Sequence, residues 1–271
     1  MSAPEIHEFN ILGHPISLEV HAERELVSEI IRNEGAYSRN DIEMMGRILN
    51  PGDVFIDAGA NIGWHTVIGA KLVGPKGRVL AFEPEPKNAS LLRRNVEHNS
   101  LTNVEVIEEA LTSKPGTLML HLSEGNFGDH ILALEQRTGR ATTEVKCTTI
   151  DEALAKRGVH AKQLALVKFD IQGSEVDALK GMRMTLSQHR PPLILEYSPK
   201  HLRAVGRSFF DVLSFIDLNG YFPSMIDDEK HEPSAKILHP LTVEQLLEIT
   251  QKLFQSPVDQ GVDLFLEFPN G

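Results

Sequence analysis

Residues 54–63 read Val54-Phe55-Ile56-Asp57-Ala58-Gly59-Ala60-Asn61-Ile62-Gly63, and after one helix-length segment the chain reads Phe82-Glu83-Pro84. The first run is short, apolar and continuous, which suits a strand covered on both faces. It ends in an acid and a glycine turn. A helix follows, then a second strand that also ends in an acid. Strand, glycine turn, helix and strand build a nucleotide site. The glycines do not make the dinucleotide fingerprint G-x-G-x-x-G, because Asn61 stands where a second glycine would let the backbone approach a pyrophosphate. Asp57 beside the turn would repel that pyrophosphate. It would instead hold a nucleotide that carries positive charge and a free ribose diol.

S-adenosyl-L-methionine fits that description, and a methyltransferase is the function expected. Asp57 is expected to face the methionine ammonium, directly or through water. The backbone of Gly59, Ala60 and Asn61 would line the methionyl part, and Gly63 opens the helix. Glu83, followed by Pro84, would accept from the ribose 2′,3′-diol, as an acid at this place does in dinucleotide folds. A third strand ends Glu108-Glu109-Ala110-Leu111. Glu109 there would accept from the adenine amine, with the Ala110 backbone nearby. A fourth ends Lys168-Phe169-Asp170-Ile171-Gln172-Gly173. Ligands of open α/β sheets lie outside the carboxyl ends of the strands, so Asp170 is expected to face the reacting methyl group. The structural alternatives are a strand-end cap for Asp57 and Asp170, and ordinary solvated charge for Glu108 and Glu109.

Composition narrows the partners. A chain of 271 residues buries a full core, and one class I methyltransferase domain over 1–271 is expected. The net charge of −11 opposes a general nucleic-acid binder, which needs basic surface to displace counterions. Arg93-Arg94 on a predicted helix reads as solvated surface. A single cysteine, Cys147, excludes an intrachain disulfide, and no cysteine cluster suggests zinc. The N-terminus has no secretory pattern and no run approaches membrane-spanning length, so a cytoplasmic protein without a membrane partner is expected. A homo-oligomer stays open.

Strand-like runs at Val54–Gly59, Arg78–Pro84, Val104–Leu111, Leu164–Ile171, Leu193–Ser198 and Val262–Phe268 alternate with helical patterns. Helices are expected over 86–99, with Pro86 in the first turn, and over 174–188, opened by Ser174-x-x-Asp177. Two more are opened by Ser208-x-x-Asp211, with Asn219-Gly220 as its end, and by Thr242-x-x-Gln245. Alternation of this kind implies an α/β fold with a Rossmann-like, doubly wound, mostly parallel sheet. Residues 1–50 read as an N-terminal strand-and-helix cap. Residues 117–150, with alternating runs Thr117–Leu122 and Thr143–Thr149, read as a hairpin insert.

These blocks together resemble a known family. They are Asp57-Ala-Gly-Ala-Asn-Ile-Gly-Trp64, then Phe-Glu83-Pro, then Glu-Ala110-Leu, then Lys-Phe-Asp170-Ile-Gln-Gly173-Ser-Glu175-x-x-Ala-Leu-Lys-Gly181, then Pro-x-Ile-Leu-Glu196. In this order, over about residues 35 to 198, they are similar to the FkbM-type methyltransferases, while residues 200–271 match in predicted topology alone. The resemblance implies a class I, S-adenosylmethionine-dependent fold whose seven-stranded sheet ends in an antiparallel strand. The pair Tyr221–Ile226 and Val262–Phe268 suits that strand. It also implies transfer of a methyl group to a hydroxyl, often on a sugar, glycan or secondary metabolite. Gln172 departs from the pattern, since the family often has an acid there.

An alcohol acceptor must lose a proton, and the candidate bases are Asp170, His130 in Gly125-Asn-Phe-Gly-Asp-His130, and His201 after the fifth strand. A surface role is the alternative for each histidine. His65 and Trp64 at the helix start read as cofactor contacts or as packing. No metal is expected, although Glu196 could join Asp170 around Mg²⁺. The nucleobase-type Asn/Asp-Pro-Pro-aromatic run is missing from the end of the fourth strand. Two alternatives are a nicotinamide-dependent oxidoreductase, opposed by Asn61 and Asp57, and a non-catalytic S-adenosylmethionine-binding protein.

Overall fold

The computed structural model describes residues 5–133, 140–226, 238–257 and 261–268. Residues 1–4 of the expected cap and 134–139 of the expected insert lie outside the described residues. The chain begins with a hairpin, β1 (Ile6–Ile11) and β2 (His14–Glu19), then α1 (Leu26–Glu34) and α2 (Arg39–Ile48). Next come β3 (Val54–Ala58), α3 (Trp64–Val73), β4 (Arg78–Phe82), α4 (Pro86–His98) and β5 (Val104–Ile107). A run of short strands follows: β6 (Ala110–Leu111), β7 (Gly116–His121), β8 (Ile131–Ala133) and β9 (Thr142–Thr148). Alternation then resumes with α5 (Ile150–Lys156), β10 (Leu164–Phe169), α6 (Glu175–Lys180), α7 (Arg183–Gln188) and β11 (Leu193–Tyr197). The last elements are α8 (Pro199–Ala204), α9 (Phe209–Asn219), β12 (Phe222–Ile226), β13 (Leu238–Pro240), α10 (Val243–Gln255) and β14 (Val262–Glu267).

The main sheet has the order β13-β12-β14-β11-β10-β3-β4-β5. Strands β5, β4, β3, β10 and β11 run parallel, and β14 is antiparallel to β11 and β12. From β3 the chain winds outward through β4 to β5, then returns to β10 on the other side. The order therefore reverses between β3 and β10, and that switch point opens a crevice at the carboxyl ends of both strands.

Pleating assigns each side chain to a layer. Val54, Ile56 and Ala58 pack toward α5, α6, α7, α9 and α10, while Phe55 packs toward α2, α3 and the β1–β2 hairpin. Asp57 shares the parity of Phe55, so the strand turns it toward α3. Arg94 of α4 forks onto Glu19 of β2 with two bonds of 3.0 Å, which ties the hairpin to the sheet layer. Both members of the Arg93-Arg94 pair thus reach a carboxylate, Arg94 on Glu19 and Arg93 on Glu108, while staying partly exposed to solvent.

Four expectations change. The sheet has eight strands rather than seven, because β13 adds to the outer edge of β12. The third predicted strand splits: β5 stays in the main sheet, and β6 leaves it to pair with β9 in a second sheet of order β6-β9-β7-β8. The predicted hairpin of the insert is the β7–β9 pair at its centre. The predicted helix over 174–188 breaks in two at Gly181. A Cβ on Gly181 would lie 2.2 Å from the Thr112 carbonyl oxygen. The start of α7 is capped from a distance, by Asp151 accepting from the Met184 and Thr185 amides at 2.8 Å each. Finally, Ser174 makes no side-chain cap. Instead Glu175 reaches back to accept from the amides of Ile171 (3.1 Å) and Gly173 (3.2 Å). The capping boxes at Ser208 and Thr242 form as read, and Gly220 ends α9 in the left-handed conformation.

Candidate active site

The crevice at the switch point holds a cavity of about 310 Å³, at the lower end of the usual size for small-molecule sites. Its wall includes Gly59, Ala60, Asn61, Glu83, Pro84, Glu109, Ala110, His130, Asp170 and His201. Two of the sequence-derived site residues, Asp57 and Gly63, are not part of that wall.

The floor is a set of backbone clamps. The amides of Gly59 and Ala60 both donate to the Phe82 carbonyl, at 3.0 and 2.9 Å, which binds the glycine turn to the end of β4. A Cβ on Gly59 would lie 1.9 Å from the Asp170 carbonyl oxygen, so only glycine lets the loops after β3 and β10 cross here. Asn61 takes a left-handed backbone (φ 48°) and donates its amide to Glu83 Oε2 at 2.8 Å. The Glu85 amide donates to Glu83 Oε1 at 2.9 Å. Glu83 is thus held at the cavity wall by two amides, one to each oxygen, with the Asn88 side chain as a further hydrogen-bond partner. Burial pushes its carboxyl up to about 8, against the pull of those amides. The Asn61 Oδ1 is buried and has no hydrogen-bond partner among the described residues. Gly63 serves the packing of α3 instead, since a Cβ there would lie 2.5 Å from Leu92.

Beneath the floor lies a buried charge cluster. Asp57 sits beside Lys168 in the β3–β10 register and accepts from the Thr66 hydroxyl at 2.5 Å. Burial raises its carboxyl to about 6, with Lys168 and Thr66 opposing. Lys168 is 2 % exposed and lies 3.2 Å from Asp170 Oδ2. Burial works against its charge, but Asp170, Asp41, Asp263 and Asp57 hold it protonated, well above the ordinary lysine range. The sequence motif places Lys168 at the end of a strand without showing that it is a buried cation. A lysine inside an apolar strand, with the parity of a covered face, was the available sign of a buried cation.

Asp170 carries more bonds than a strand-end acid needs. Its other oxygen accepts from Gln172 Nε2 at 2.9 Å, and the same amide donates to Glu196 Oε2 at 2.8 Å. Burial raises the Asp170 carboxyl, but Lys168, Glu196 and Gln172 outweigh it and leave it lowered. Glu196 moves the other way, raised by burial and by the Asp170 charge. Gln172, the departure from the family pattern, therefore bridges two carboxyls that are shifted in opposite directions. Among the described residues no group of three His, Cys, Asp or Glu side chains is placed to hold a metal ion.

The roof is a strap, residues 125–130, drawn over the cavity from the insert. The Leu26 amide donates to the Gly125 carbonyl (3.1 Å), and Asn88 Nδ2 donates to the Phe127 carbonyl (2.9 Å). The Phe127 ring packs edge-on to His21 (4.9 Å) under the Lys87 ammonium (4.6 Å). His130 accepts at Nδ1 from the Ser123 amide (3.0 Å), which leaves the ring proton on Nε2 and makes its cavity side a donor. His201 lies 3.4 Å from Asp129, a pairing that sequence spacing did not suggest. His65 lines the cavity with its ring edge-on to Tyr37, and burial drives its imidazole well below the usual range. Trp64 is in the core layer against Phe9 and also reaches the cavity. Glu109 keeps its place on the wall, while Glu108 pairs with Arg93.

Strand order 3-2-1-4-5-7-6, counted without the edge strand β13, a glycine turn after the first and an acid ending the second define a class I methyltransferase fold, whose cofactor is S-adenosyl-L-methionine. Residues 57–223, more than half of the chain, match the Methyltransferase FkbM domain, and the chain belongs to that family. It is 28% identical over 150 residues to Methyltransferase 1 of Beauveria bassiana, a match covering 49% of this chain and 59% of that protein. It is 24% identical over 205 residues to 2-O-methyltransferase NoeI of Sinorhizobium fredii, covering 69% of this chain and 82% of that one. It is 32% identical over 180 residues to 31-O-demethyl-FK506 methyltransferase FkbM of Streptomyces tacrolimicus, covering 56% and 66% respectively. No helix among the described residues is long and apolar enough to cross a membrane.

Proposed function

We propose that the protein transfers a methyl group from S-adenosyl-L-methionine to a hydroxyl of a sugar, glycan or secondary metabolite. The observation that carries this is the cavity wall itself, where the ends of β3, β4, β5 and β10 converge with Glu83 already held by two amides. The donor set fits the cofactor. Glu83 would accept from a ribose diol, and the buried Asn61 Oδ1 would accept from a donor such as the methionyl ammonium. Gly59, Ala60 and Asn61 would line the methionyl part, Pro84 would border the ribose, and Glu109 with Ala110 would border the adenine. Asp57, turned toward α3, would act through Lys168 and Thr66 on the charge of the floor rather than by contact. Two of the three relatives above carry O-methylation in their names, which supports an oxygen acceptor.

The bound cofactor would supply an electrophilic methyl group on a sulfonium. The chain's own residues must align the acceptor oxygen with that group, exclude water and accept the hydroxyl proton. Alignment of this kind supplies roughly 7–11 kcal/mol of a barrier. A strap roof and a floor fixed by backbone clamps are suited to it. Asp170 would face the methyl end with its orientation fixed by Lys168 and Gln172. The test is transfer of a labelled methyl group from S-adenosylmethionine to a panel of neutral methyl glycosides, polyols and primary amines. Label is expected in an ether linkage. Label found only on amines would refute the oxygen acceptor.

A further inference from the structure

We infer that Gln172 binds the acceptor, its side-chain carbonyl oxygen receiving a hydrogen bond from a hydroxyl beside the one that is methylated. The acceptor class is therefore a vicinal diol or polyol. This rests on the methyl-transfer function proposed above and narrows it. Gln172 lines the cavity together with Asp170 and Glu196. An amide nitrogen of this kind has two protons to give, and both are in use. One goes to Asp170 Oδ1 at 2.9 Å and the other to Glu196 Oε2 at 2.8 Å. Turning the amide over would set its carbonyl oxygen against two carboxyl oxygens and lose both bonds. The partners therefore fix which end is which, and Oε1 is the end left over. No group among the described residues donates to that oxygen, and it is not one of the unpartnered atoms closed off from solvent.

The backbone holds the side chain where it is. Gln172 takes a left-handed φ of 52°, and Gly173 follows at 96°. A glutamine seldom adopts that conformation, and it persists where the surroundings impose it. Here they do so from two sides. Glu175 accepts from the amides of Ile171 and Gly173 on either side of Gln172. On the other side, a Cβ on Gly173 would lie 2.4 Å from the His201 carbonyl oxygen, so the start of α8 closes directly on the turn. Gln172 as a whole is only 7% exposed. Its oxygen is thus a single open acceptor on a side chain that cannot move away.

Such an oxygen selects its ligand. A hydroxyl satisfies it, whereas an apolar substituent leaves it desolvated and unpaired. Asp170, which would face the methyl end, is one hydrogen bond away from the same amide group. A hydroxyl at the methyl end and a hydroxyl on Gln172 Oε1 are therefore neighbours, and adjacent carbons of one molecule supply that spacing. Gln172 has two tasks in this arrangement: its nitrogen orients Asp170 and Glu196, and its oxygen reads the acceptor.

The first test needs no acceptor. S-adenosylhomocysteine binding to the full chain is measured by calorimetry, and the complex is crystallised. Gln172 Oε1 should open onto the space in front of the sulfur, with an ordered water donating to it. A cofactor or protein group covering that oxygen would overturn the inference and leave the proposed function standing. Failure of the wild type to bind S-adenosylhomocysteine would instead count against the proposed function itself. The second test uses methyl glycosides and polyols that take label, each beside the analogue that lacks the hydroxyl next to the methylated one. The wild type should favour the diol by about ten- to a hundredfold in kcat/KM, the cost of one unpaired acceptor. Gln172→Met, which has no oxygen to offer, should lose most of that preference while keeping its affinity for S-adenosylhomocysteine. Gln172→Glu, which keeps the oxygen, should retain the preference. Equal preferences in the wild type and Gln172→Met would overturn the inference.

Discussion

The floor and the roof of the cavity are built in different ways. The floor, residues 57–63 with Glu83, is made of contacts between neighbouring strand ends, nearly all through backbone amides and carbonyls. The roof, residues 125–130, is tied by one backbone bond from Leu26 and otherwise by side chains from distant segments: His21, Asn88, Lys87, Arg140 and His201. Backbone clamps at strand ends give a rigid site whose position follows from the sheet. Side-chain ties leave a roof that can open at small cost, which suits a site that must admit and release a nucleotide and an acceptor. The difference predicts that substitutions in the floor act on stability and cofactor affinity together, whereas those in the roof act on rates.

The largest effect is expected below the floor. Lys168→Met leaves Asp57 and Asp170 as buried charges without their cation, and removing one partner of such a pair costs about 3–5 kcal/mol. Urea unfolding should show that loss. A change below about 1 kcal/mol would mean that the acids are already neutral and the cluster is not ionic. Gly59→Ala comes next. Its methyl group meets the Asp170 carbonyl and the residue has φ 82°, so overpacking should cost about 1–3 kcal/mol and S-adenosylhomocysteine binding should be lost. Retained affinity would show that the two loops can part without disturbing the site.

Glu83→Gln removes a charge-assisted acceptor while keeping the shape. A hydrogen bond to a charged group is worth about 1.5–3 kcal/mol, so affinity should fall about tenfold or more in calorimetry. The same residue sets a pH signature. In the ligand-free protein the Glu83 carboxyl is raised from 4.5 to about 8, so the folded state holds a proton that the unfolded state has lost. Its contribution to stability is full below pH 4.5 and is lost as pH rises through about 8. Asp57, raised to about 6, and Glu175, raised to about 7, act in the same direction. Cofactor affinity should run oppositely, rising over that window as Glu83 ionises to accept the diol. Parallel trends in stability and affinity would contradict the assigned role.

The smallest effect belongs to the roof. Phe127→Ala removes a ring held by a cation–π contact worth about 0.5–1 kcal/mol. Stability should change little, while S-adenosylhomocysteine should dissociate about two- to fivefold faster in stopped-flow fluorescence. An unchanged rate would separate the strap from the cofactor gate.

The same contrast explains what the sequence revealed. Gly59, Glu83 and Asp170 were legible because each sits at the end of an apolar run, where the sheet alone decides its neighbours. Asp57 was legible as an acid, and the pleat that buries Phe55 toward α3 carries its side chain onto Thr66, off the cavity wall. The split of 174–188 and the departure of β6 depend on Thr112 and Asp151, which lie far off in the chain. The Asp129–His201–Arg140 assembly left no local pattern, because three separate segments meet only after the insert has folded back over the sheet.

The central claim is that residues 57–63 and Glu83 hold S-adenosylmethionine rather than a dinucleotide. Its most direct test is thermal unfolding of the full chain with S-adenosylhomocysteine or with NADH. Ligand at 100 times its dissociation constant adds about 2.7 kcal/mol to the folded state. That gain is expected with S-adenosylhomocysteine, and no shift is expected with NADH. A shift with NADH alone would contradict it.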